Sequence, residues 1–541
     1  MTDSVRLQRH AAVPANPPGD GKPVRLLGWI SAVGIGGAIL LMAGASFVRQ
    51  DWMVPEVQVP AVGPPFELHQ HISGRLVATG LWVAVVLAVV GLVAGLVAAR
   101  RGARGPIRLI LIGGALAVLA LMLAPPVGST DALDYASYGR LALLGHNPYV
   151  ASPMYLRITD PIFGQSVPVR WEHQVSLYGP AATLEQYVAA KLGGESIARV
   201  VFWLKMWNAL AFGAVAFVLD RVLRRNPAAR LRGHLLWTVN PLLLWGLMAA
   251  GHIDVVAAAA GILGLLAVGR QPAGVQPKIW RAVVAGALVG LAVAFKIDFA
   301  VFGLGLAWAL RRSVPALLAA VAGALAILGP TYAALGTPAI KALSSARGLT
   351  SQDSFWRAAH LTNSKYLIYL ALLAFIGMAA LLLWRMPPGD RLRPAIRPAL
   401  AISVAFVFMW PYQLPWYDTM IICVLVLFPA SRLDWLVVGR LGVATLANMP
   451  GNPDGVTATA LGRMDVVLVH RITPALLLTA VGLLVLLAVS GRWGVVQQDG
   501  RTSSVPSSGK TPQIGGLSYL LRSGQHRTEG PGARWHYRSS G

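Results

Sequence analysis

The sequence predicts an all-α polytopic membrane protein, a bundle of about 12–14 transmembrane helices with one large outer loop. Three observations predict it. Of 541 residues, 55% are hydrophobic and only 13% are charged, against about 25% charged in a soluble domain. A soluble chain of this length could not cover its surface with so few polar groups, and the mean hydropathy of +0.60 agrees. The apolar residues are gathered in long runs, as bilayer-spanning helices require. Finally, Lys and Arg collect in alternate connections between those runs, the bias that orients a polytopic chain.

Along the chain, residues 1–24 are polar, with Pro14, Pro17 and Pro18, and read as a flexible cytoplasmic leader. The first apolar run, 25–48, is too long for a signal-peptide core and lacks a small-residue cleavage pattern after it, so it reads as a helix. Further runs lie at 77–99, 107–126, 200–220, 234–250, 253–269, 281–297, 299–310, 314–334, 366–385, 398–410, 417–435, 436–449 and 472–490. Those at 299–310, 398–410 and 436–449 are short for a ~20-residue span and are candidates for tilted, broken or re-entrant segments. Together 25–490 form the transmembrane domain. The outer segments of substance are 49–76, 127–198, 335–365 and 450–471, with 127–198 the largest and the expected catalytic loop. The tail 491–541 is rich in Gly, Ser and Arg and reads as a disordered cytoplasmic segment.

The net charge is +24, from 46 basic and 22 acidic residues. In a soluble protein that excess points to nucleic acid; here it follows from basic loops facing the cytoplasm, and no nucleic-acid partner is expected. With the N-terminus inside, the inner segments hold Arg100, Arg101, Arg104 and Arg108, then Arg221 to Arg232, Arg311 and Arg312, and Arg385 to Arg397. Most acids fall outside, among them Asp131, Asp134, Asp160, Glu172, Asp254, Asp298, Asp418 and Asp454. Acids contribute little to membrane orientation, so an acidic outer face needs a reason of its own. The single cysteine, Cys423, lies in an apolar run and excludes an internal disulfide, a CxxC motif or a cysteine-based zinc site.

No HExxH motif and no DxD of the kind that holds a metal–nucleotide sugar is present. Gly509-Lys510-Thr511 resembles the end of a phosphate loop, but Ser504 stands where the earlier glycine is required. There is no clear repeat and no matching pair of broken helices, which weighs against a secondary transporter. The segment after the third run reads Ser129-Thr130-Asp131-Ala132-Leu133-Asp134-Tyr135-Ala136-Ser137-Tyr138-Gly139-Arg140. Thr130 can cap a helix beginning at Asp131. Asp131, Asp134, Tyr135 and Tyr138 then share one face at i, i+3 and i+4 spacing, on a helix expected to lie at the membrane surface. A helix start with favourable first-turn acids is the plainer reading of the same residues.

The run Asp131 to Tyr149, ending Gly145-His146-Asn147-Pro148-Tyr149, resembles the first large outer loop of the actinobacterial polyprenyl-phosphomannose-dependent α-1,6-mannosyltransferases, integral membrane enzymes of the GT-C class. Further motifs follow in the family's order: Val48-Arg49-Gln50, Leu177-Tyr178-Gly179-Pro180, Asn240-Pro241-Leu242, Gly251-His252-Ile253-Asp254, Ala294-Phe295-Lys296, Leu414-Pro415-Trp416-Tyr417 and Asn452-Pro453-Asp454-Gly455. The likeness runs from about 45 to 490, and the shared order is more specific than any one motif. Two departures stand out: Asp134 occupies a position that is usually Ser, and the first helix is followed by a Pro-rich stretch from Val54 to Pro65.

The resemblance implies transfer of mannose from polyprenyl-phosphomannose to an α-1,6-mannan acceptor of cell-envelope lipoglycan (lipomannan or lipoarabinomannan). It implies a multi-pass protein of the plasma membrane, with both termini cytoplasmic and the active site on the outer face. Inversion follows, by one displacement with one carboxylate base and neither cofactor nor metal. Asp131 aligns with the family's Asp and is the expected base, with Asp134 assisting. Such chemistry needs a carboxylate to take the acceptor proton and fixed positive charge at the leaving phosphate. Lys296, at the outer end of an apolar helix, and Arg140 are the phosphate candidates; snorkelling of Lys296, and pairing of Arg140 with Asp134, are the structural alternatives. Tyr135, Tyr138, Tyr178, His252, Asp254, Trp416 and Tyr417 are candidate substrate-binding residues. For Tyr178, Trp416 and Tyr417 the alternative is the interfacial aromatic belt, for His252 and Asp254 a helix-end hydrogen bond. Rival functions are a transporter or lipid-linked-sugar flippase, a GT-C transferase using another polyprenyl-phosphate sugar, and an assembly partner with a decayed site. A flippase should carry charges deep in its spanning helices; here the ionisable groups are read as sitting at helix ends, apart from Lys205 near the start of its helix.

Overall fold

The computed structural model describes residues 21–49, 57–168, 171–269, 277–345, 349–361, 366–390, 393–449 and 460–495. The leader up to residue 20, the tail beyond 495 and the Asp454 turn lie outside the described residues. The first helices are α1 (Lys22–Phe47), α2 (Gly74–Arg100), α3 (Ile107–Leu123), α4 (Asp131–Leu143), α5 (Met154–Thr159), α6 (Pro180–Gly193) and α7 (Ile197–Leu223). Then come α8 (Pro227–Leu236), α9 (Pro241–Leu244), α10 (Asp254–Ala267), α11 (Ile279–Phe295), α12 (Ala300–Leu310), α13 (Val314–Leu335) and α14 (Thr337–Ser345). The series closes with α15 (Phe355–Ala358), α16 (Leu367–Arg385), α17 (Ile396–Met409), α18 (Thr419–Leu425), α19 (Leu433–Ala447), α20 (Ala460–Val467) and α21 (Thr473–Ser490). One parallel pair of short strands, Val48–Arg49 with Leu68–His71, ties the ends of the first outer segment together.

The apolar runs fall on helices except 417–435, expected as one span, which is divided between α18 and the start of α19 with non-helical chain at 426–432. Among the described residues six helices are long and apolar enough to cross a bilayer: α1, α2, α7, α13, α16 and Gly462–Ser490. The runs expected to be short are short helices, α12, α17 and α19. The runs 234–250 and 253–269, expected as two spans, form instead a pair bent by 118° at a short break. The local sequence explains the bend. Asn240 accepts from Leu242 N at 3.1 Å and Pro241 starts a helical turn, which widens into a π-turn at Trp245–Ala249. Gly251 then adopts a φ of +79°, open to glycine at little cost, and α10 restarts at Asp254.

Small residues let the spans approach, as membrane helices without a hydrophobic drive between them require. Gly34, Ala38, Ala84, Ala88 and Gly91 lie buried in α1 and α2, and Ala285, Ala292, Ala316 and Ala320 in α11 and α13.

The large segment 127–198 packs around a core separate from the main one, formed by its Tyr135, Leu141, Leu156 and Phe163 together with Val200 and Leu204 of α7. Here two expectations change. The α4 helix begins at Asp131 as read, but Thr130 makes no side-chain cap; the Ser129 hydroxyl accepts from Asp131 N at 3.2 Å. Nor does its polar face lie open at a surface: of Asp131, Asp134, Tyr135 and Tyr138, the last three are buried and Asp131 is partly so, because α6 and α7 pack against the helix. The contact with α6 depends on Gly139, whose added Cβ would stand 2.2 Å from the Gln186 carbonyl oxygen.

Candidate functional site

Four stretches of chain converge on one cavity of about 800 Å³, its open mouth included. The α4 helix supplies Asp131, Asp134 and Tyr138; the loop before α6 supplies Tyr178; the end of α11 supplies Lys296; and the turn before α18 supplies Tyr417. Tyr178 is placed by the residue after it. Gly179 N donates to the Phe295 carbonyl at 3.0 Å, and a Cβ there would lie 2.1 Å from the Ala294 oxygen. Thus glycine alone allows the Tyr178 loop to rest on the strand of chain that ends in Lys296. Tyr178 then meets Tyr135 edge to face at 4.9 Å and Tyr138 at 6.5 Å.

Asp131 is the carboxylate with counter-charge. His252 Nδ1 lies 3.4 Å from Asp131 Oδ2 and 3.4 Å from the Tyr135 hydroxyl. The imidazole is fully buried, stacks on Trp416 at 3.4 Å and 17°, and its Nε2 has no hydrogen-bond partner among the described residues. Burial works to raise the Asp131 pKa. The hydrogen bond and charge of His252, with Lys296 and the Ser129 hydroxyl, overturn that and hold it below the ordinary aspartate value. Asp134, one turn on, has no such help. Burial, and then the charge of Asp131, push its pKa well above the ordinary value, and its Oδ1 is buried without a hydrogen-bond partner. Two acids whose environments drive their pKa values apart are the arrangement that assigns one as base and the other as neutral donor.

Lys296 terminates α11 as its C-cap. Its ammonium donates to Asp254 Oδ1 at 2.8 Å, lies 3.9 Å from the centre of the Tyr417 ring and stands 4.0 Å from Asp298. Asp254 is fully buried at the start of α10, with Oδ2 unpartnered. The sharp bend before α10 therefore does local work: it delivers His252 to Asp131 and Asp254 to Lys296 from a single turn.

Arg140 is not brought to the cavity. Nine residues after Asp131 it faces half a turn away on α4, where its Nε donates to Asp160 at 2.8 Å and its guanidinium lies over Phe163. Its roles as phosphate contact and as partner of Asp134 are both replaced by this pair. Of the expected substrate-binding residues, Tyr138, Tyr178 and Tyr417 line the cavity, whereas Tyr135, His252, Asp254 and Trp416 do not: His252 and Asp254 stand behind Asp131 and Lys296 as their partners, and Trp416 backs His252. Trp171, Gln174, Asp298, Trp410 and Tyr412 do line it and had not been assigned a substrate role from the sequence; aromatic character was the available signal for Trp171, Trp410 and Tyr412, and nearness to Lys296 for Asp298. Asp418, next to Tyr417, pairs with buried Arg440, which also donates to Gln413 at 2.8 Å. Lys205, fully buried in α7, donates to the Ala124 carbonyl at 2.8 Å and so anchors the chain that leads into α4; Arg440, buried within α19, is a second charge inside an apolar run, not singled out from the sequence.

A family model described as Alpha-(1->6)-mannopyranosyltransferase, N-terminal domain, matches residues 31–312, just over half of the chain. That span contains Asp131, Asp134, His252, Asp254 and Lys296 and stops short of Tyr417. A probable alpha-(1->6)-mannopyranosyltransferase of Mycolicibacterium smegmatis is 29% identical over 231 residues, 43% of this chain and 39% of that protein. An alpha-(1->6)-mannopyranosyltransferase of Mycobacterium tuberculosis is 28% identical over 152 residues, 28% of this chain and 25% of that protein. The aligned regions thus span well under half the length of these relatives. The crystal structure of ArnT from Cupriavidus metallidurans bound to undecaprenyl phosphate superposes with a TM-score of 0.38 at 17% identity, covering 71% of this chain and 77% of that one.

Proposed function

The chain belongs to the alpha-(1->6)-mannopyranosyltransferase family, and from that premise we propose that it transfers mannose from polyprenyl-phosphomannose to an α-1,6-mannan acceptor of a cell-envelope lipoglycan, with inversion, as a GT-C-type enzyme. The observation that carries the reading is the cavity shared by Asp131, Asp134 and Lys296.

Asp131, ionised beside His252, takes the proton of the acceptor hydroxyl as that oxygen attacks the anomeric carbon. The bond from that carbon to the phosphate oxygen breaks, and the electron pair leaves with the polyprenyl phosphate. Lys296 stands where fixed positive charge stabilises that leaving group. Asp134, kept protonated by burial, is a hydrogen-bond donor to a sugar hydroxyl. Tyr178 and Tyr417 offer aromatic faces to the sugar. The donor carries its own leaving group, so the reaction needs neither a nucleotide-sugar metal site nor a cofactor. On this reading the enzyme sits in the plasma membrane with both termini cytoplasmic and this cavity on the outer face; the basic residues that gather at the opposite helix ends support the orientation.

Membranes from cells expressing the chain, supplied with labelled polyprenyl-phosphomannose and a short α-1,6-mannoside, should yield an extended α-linked product. Movement of the lipid-linked sugar across the membrane without transfer would replace the reading with a flippase. Transfer only from a different polyprenyl-phosphate sugar would keep the mechanism and correct the donor.

A further inference from the structure

A groove of about 1630 Å³, counting its open side, runs between α19 and α21. Its walls are apolar along most of their length, from Leu436 and Val443 on one helix to Leu476, Leu483 and Leu487 on the other. One end is cationic. Arg432 N donates to the Trp493 carbonyl at 2.8 Å, which sets Arg432 at the start of α19 beside Arg492 just past α21. Arg100, the last residue of α2, joins them by lying 4.7 Å over the ring of Trp435.

These charges are in surplus. The nearby acid, Asp434, is already held by both branches of the Arg232 fork, at 2.6 and 2.8 Å. Arg100 reaches it only at 3.8 Å, and its Nε and Nη2 are buried without hydrogen-bond partners. Among the described residues lining the groove there is no acid. The fourth arginine of the lining, Arg440, lies two turns along α19 and is committed to Asp418. Asp418 adjoins Tyr417 of the cavity, so the cationic end of the groove points away from the Asp131–Lys296 site.

We propose that this groove binds an anionic phospholipid, its phosphate held by Arg100, Arg432 and Arg492 and an acyl chain lying along α19 and α21. The dimensions fit. From Arg432 to Val443 the helix rises about 16 Å, close to the ~15 Å of one leaflet of hydrocarbon. Arginine forks match phosphate oxygens in pairs; Arg432 and Arg492 are exposed at their helix ends, at the depth of a lipid headgroup, and Arg100 is half-buried with its acid no closer than 3.8 Å, so a lipid phosphate supplies the missing anion. Gly439 leaves the middle of the groove open: a Cβ built there meets nothing within 4 Å. The inference does not depend on the transfer reaction.

The test uses the full chain in a neutral detergent, with retention measured by native mass spectrometry and stability by thermal unfolding. The probes are phosphatidylglycerol, phosphatidylcholine, glycerol phosphate and a polyprenyl phosphate. Phosphatidylglycerol should be retained and should raise the melting midpoint with concentration; phosphatidylcholine and glycerol phosphate should do neither. The Arg432→Gln/Arg492→Gln variant should bind phosphatidylglycerol at least about tenfold more weakly, the scale of losing one charge-assisted hydrogen bond. Gly439→Leu, which fills the groove without touching a charge, should weaken it likewise, and size-exclusion profiles of both variants should match the parent. Equal retention of phosphatidylcholine, or full retention by the arginine variant, would reduce the groove to ordinary lipid contact and overturn the proposal. Tighter binding of polyprenyl phosphate, or closure of the face by a second copy of the chain, would overturn it as well.

Discussion

Removing the Lys296 charge tests two roles carried by one side chain. Its ammonium lies 2.8 Å from Asp254 Oδ1, and Asp254 is fully buried. At an effective dielectric of about 20, unit charges at that distance attract by about 6 kcal/mol, much of which the desolvation of both ions offsets. Deleting one partner is different, because an uncompensated buried carboxylate remains, at about 3–5 kcal/mol. Lys296→Met is therefore expected to lose stability and transfer together, and alone it decides nothing. Asp254→Asn in the same background removes the orphaned charge and keeps the side-chain volume. The double variant should regain most of the lost stability in thermal unfolding. Relative to the Asp254→Asn single variant, its single-turnover transfer from labelled polyprenyl-phosphomannose should still be down by roughly 10²–10³-fold, the scale of losing one donor to a developing anion. Lys296→Arg should restore part of that, limited by a guanidinium's different reach to phosphate. If the double variant transfers as fast as Asp254→Asn alone, Lys296 serves only to neutralise Asp254, and its role at the leaving phosphate is refuted.

Asp131→Asn should cut transfer by roughly 10²–10⁴-fold and Asp134→Asn by less, in the same assay; the reverse order would exchange their roles. The base acts deprotonated and its pKa is depressed, so activity should persist as pH falls below the ordinary aspartate range; a limb rising only well above that range would point to Asp134. His252→Phe keeps a ring against Trp416 but removes the counter-charge, so the acid limb of the pH profile should move upward, and an unmoved profile would dismiss His252 as a positioning residue. Asp434→Asn should lower stability by about 3–5 kcal/mol by stranding the buried Arg232 guanidinium, with most of it returned by a further Arg232→Met. Thr159→Cys, exposed in the 127–198 segment, in a variant lacking buried Cys423, should react with a membrane-impermeant thiol reagent in intact cells; labelling only after lysis would invert the topology.

Much of this was legible because its signals are local. Long apolar runs mark helices whatever their partners, and the i, i+3 spacing of Asp131 and Asp134 sets both on one face. What escaped the sequence depended on distance along the chain. Asp298 stands two residues from Lys296 along the chain, whereas the hydrogen bond goes to Asp254, delivered by a bend whose cause is a π-turn and a positive-φ glycine. Arg140 looked available because it is close in sequence, but helical rotation turns it to Asp160 on the far side of α4. The burial of α4 was also hidden, since its polar face reads as solvated until α6 covers it.

That burial is what gives the two carboxyl groups different tasks. On a solvated helix, Asp131 and Asp134 would titrate alike, and neither would be preferred as a base. With α6 and α7 packed against the helix, Asp134 is buried and Asp131 partly so, and the outcome turns on which one meets a hydrogen-bond donor and a cation. His252 reaches Asp131 because the bend before α10 ends beside α4, and Lys296 adds its field from the end of α11. Asp134 meets only Asp131, a like charge, and so keeps its proton. The position of α4 is itself held from both ends, by the Lys205 bond to Ala124 before it and by the absent Cβ of Gly139 against α6. The difference between base and donor therefore rests on contacts made by residues that never touch the substrate, and Asp134, which stands where the resembling family has Ser, can be accommodated only because those contacts leave it neutral.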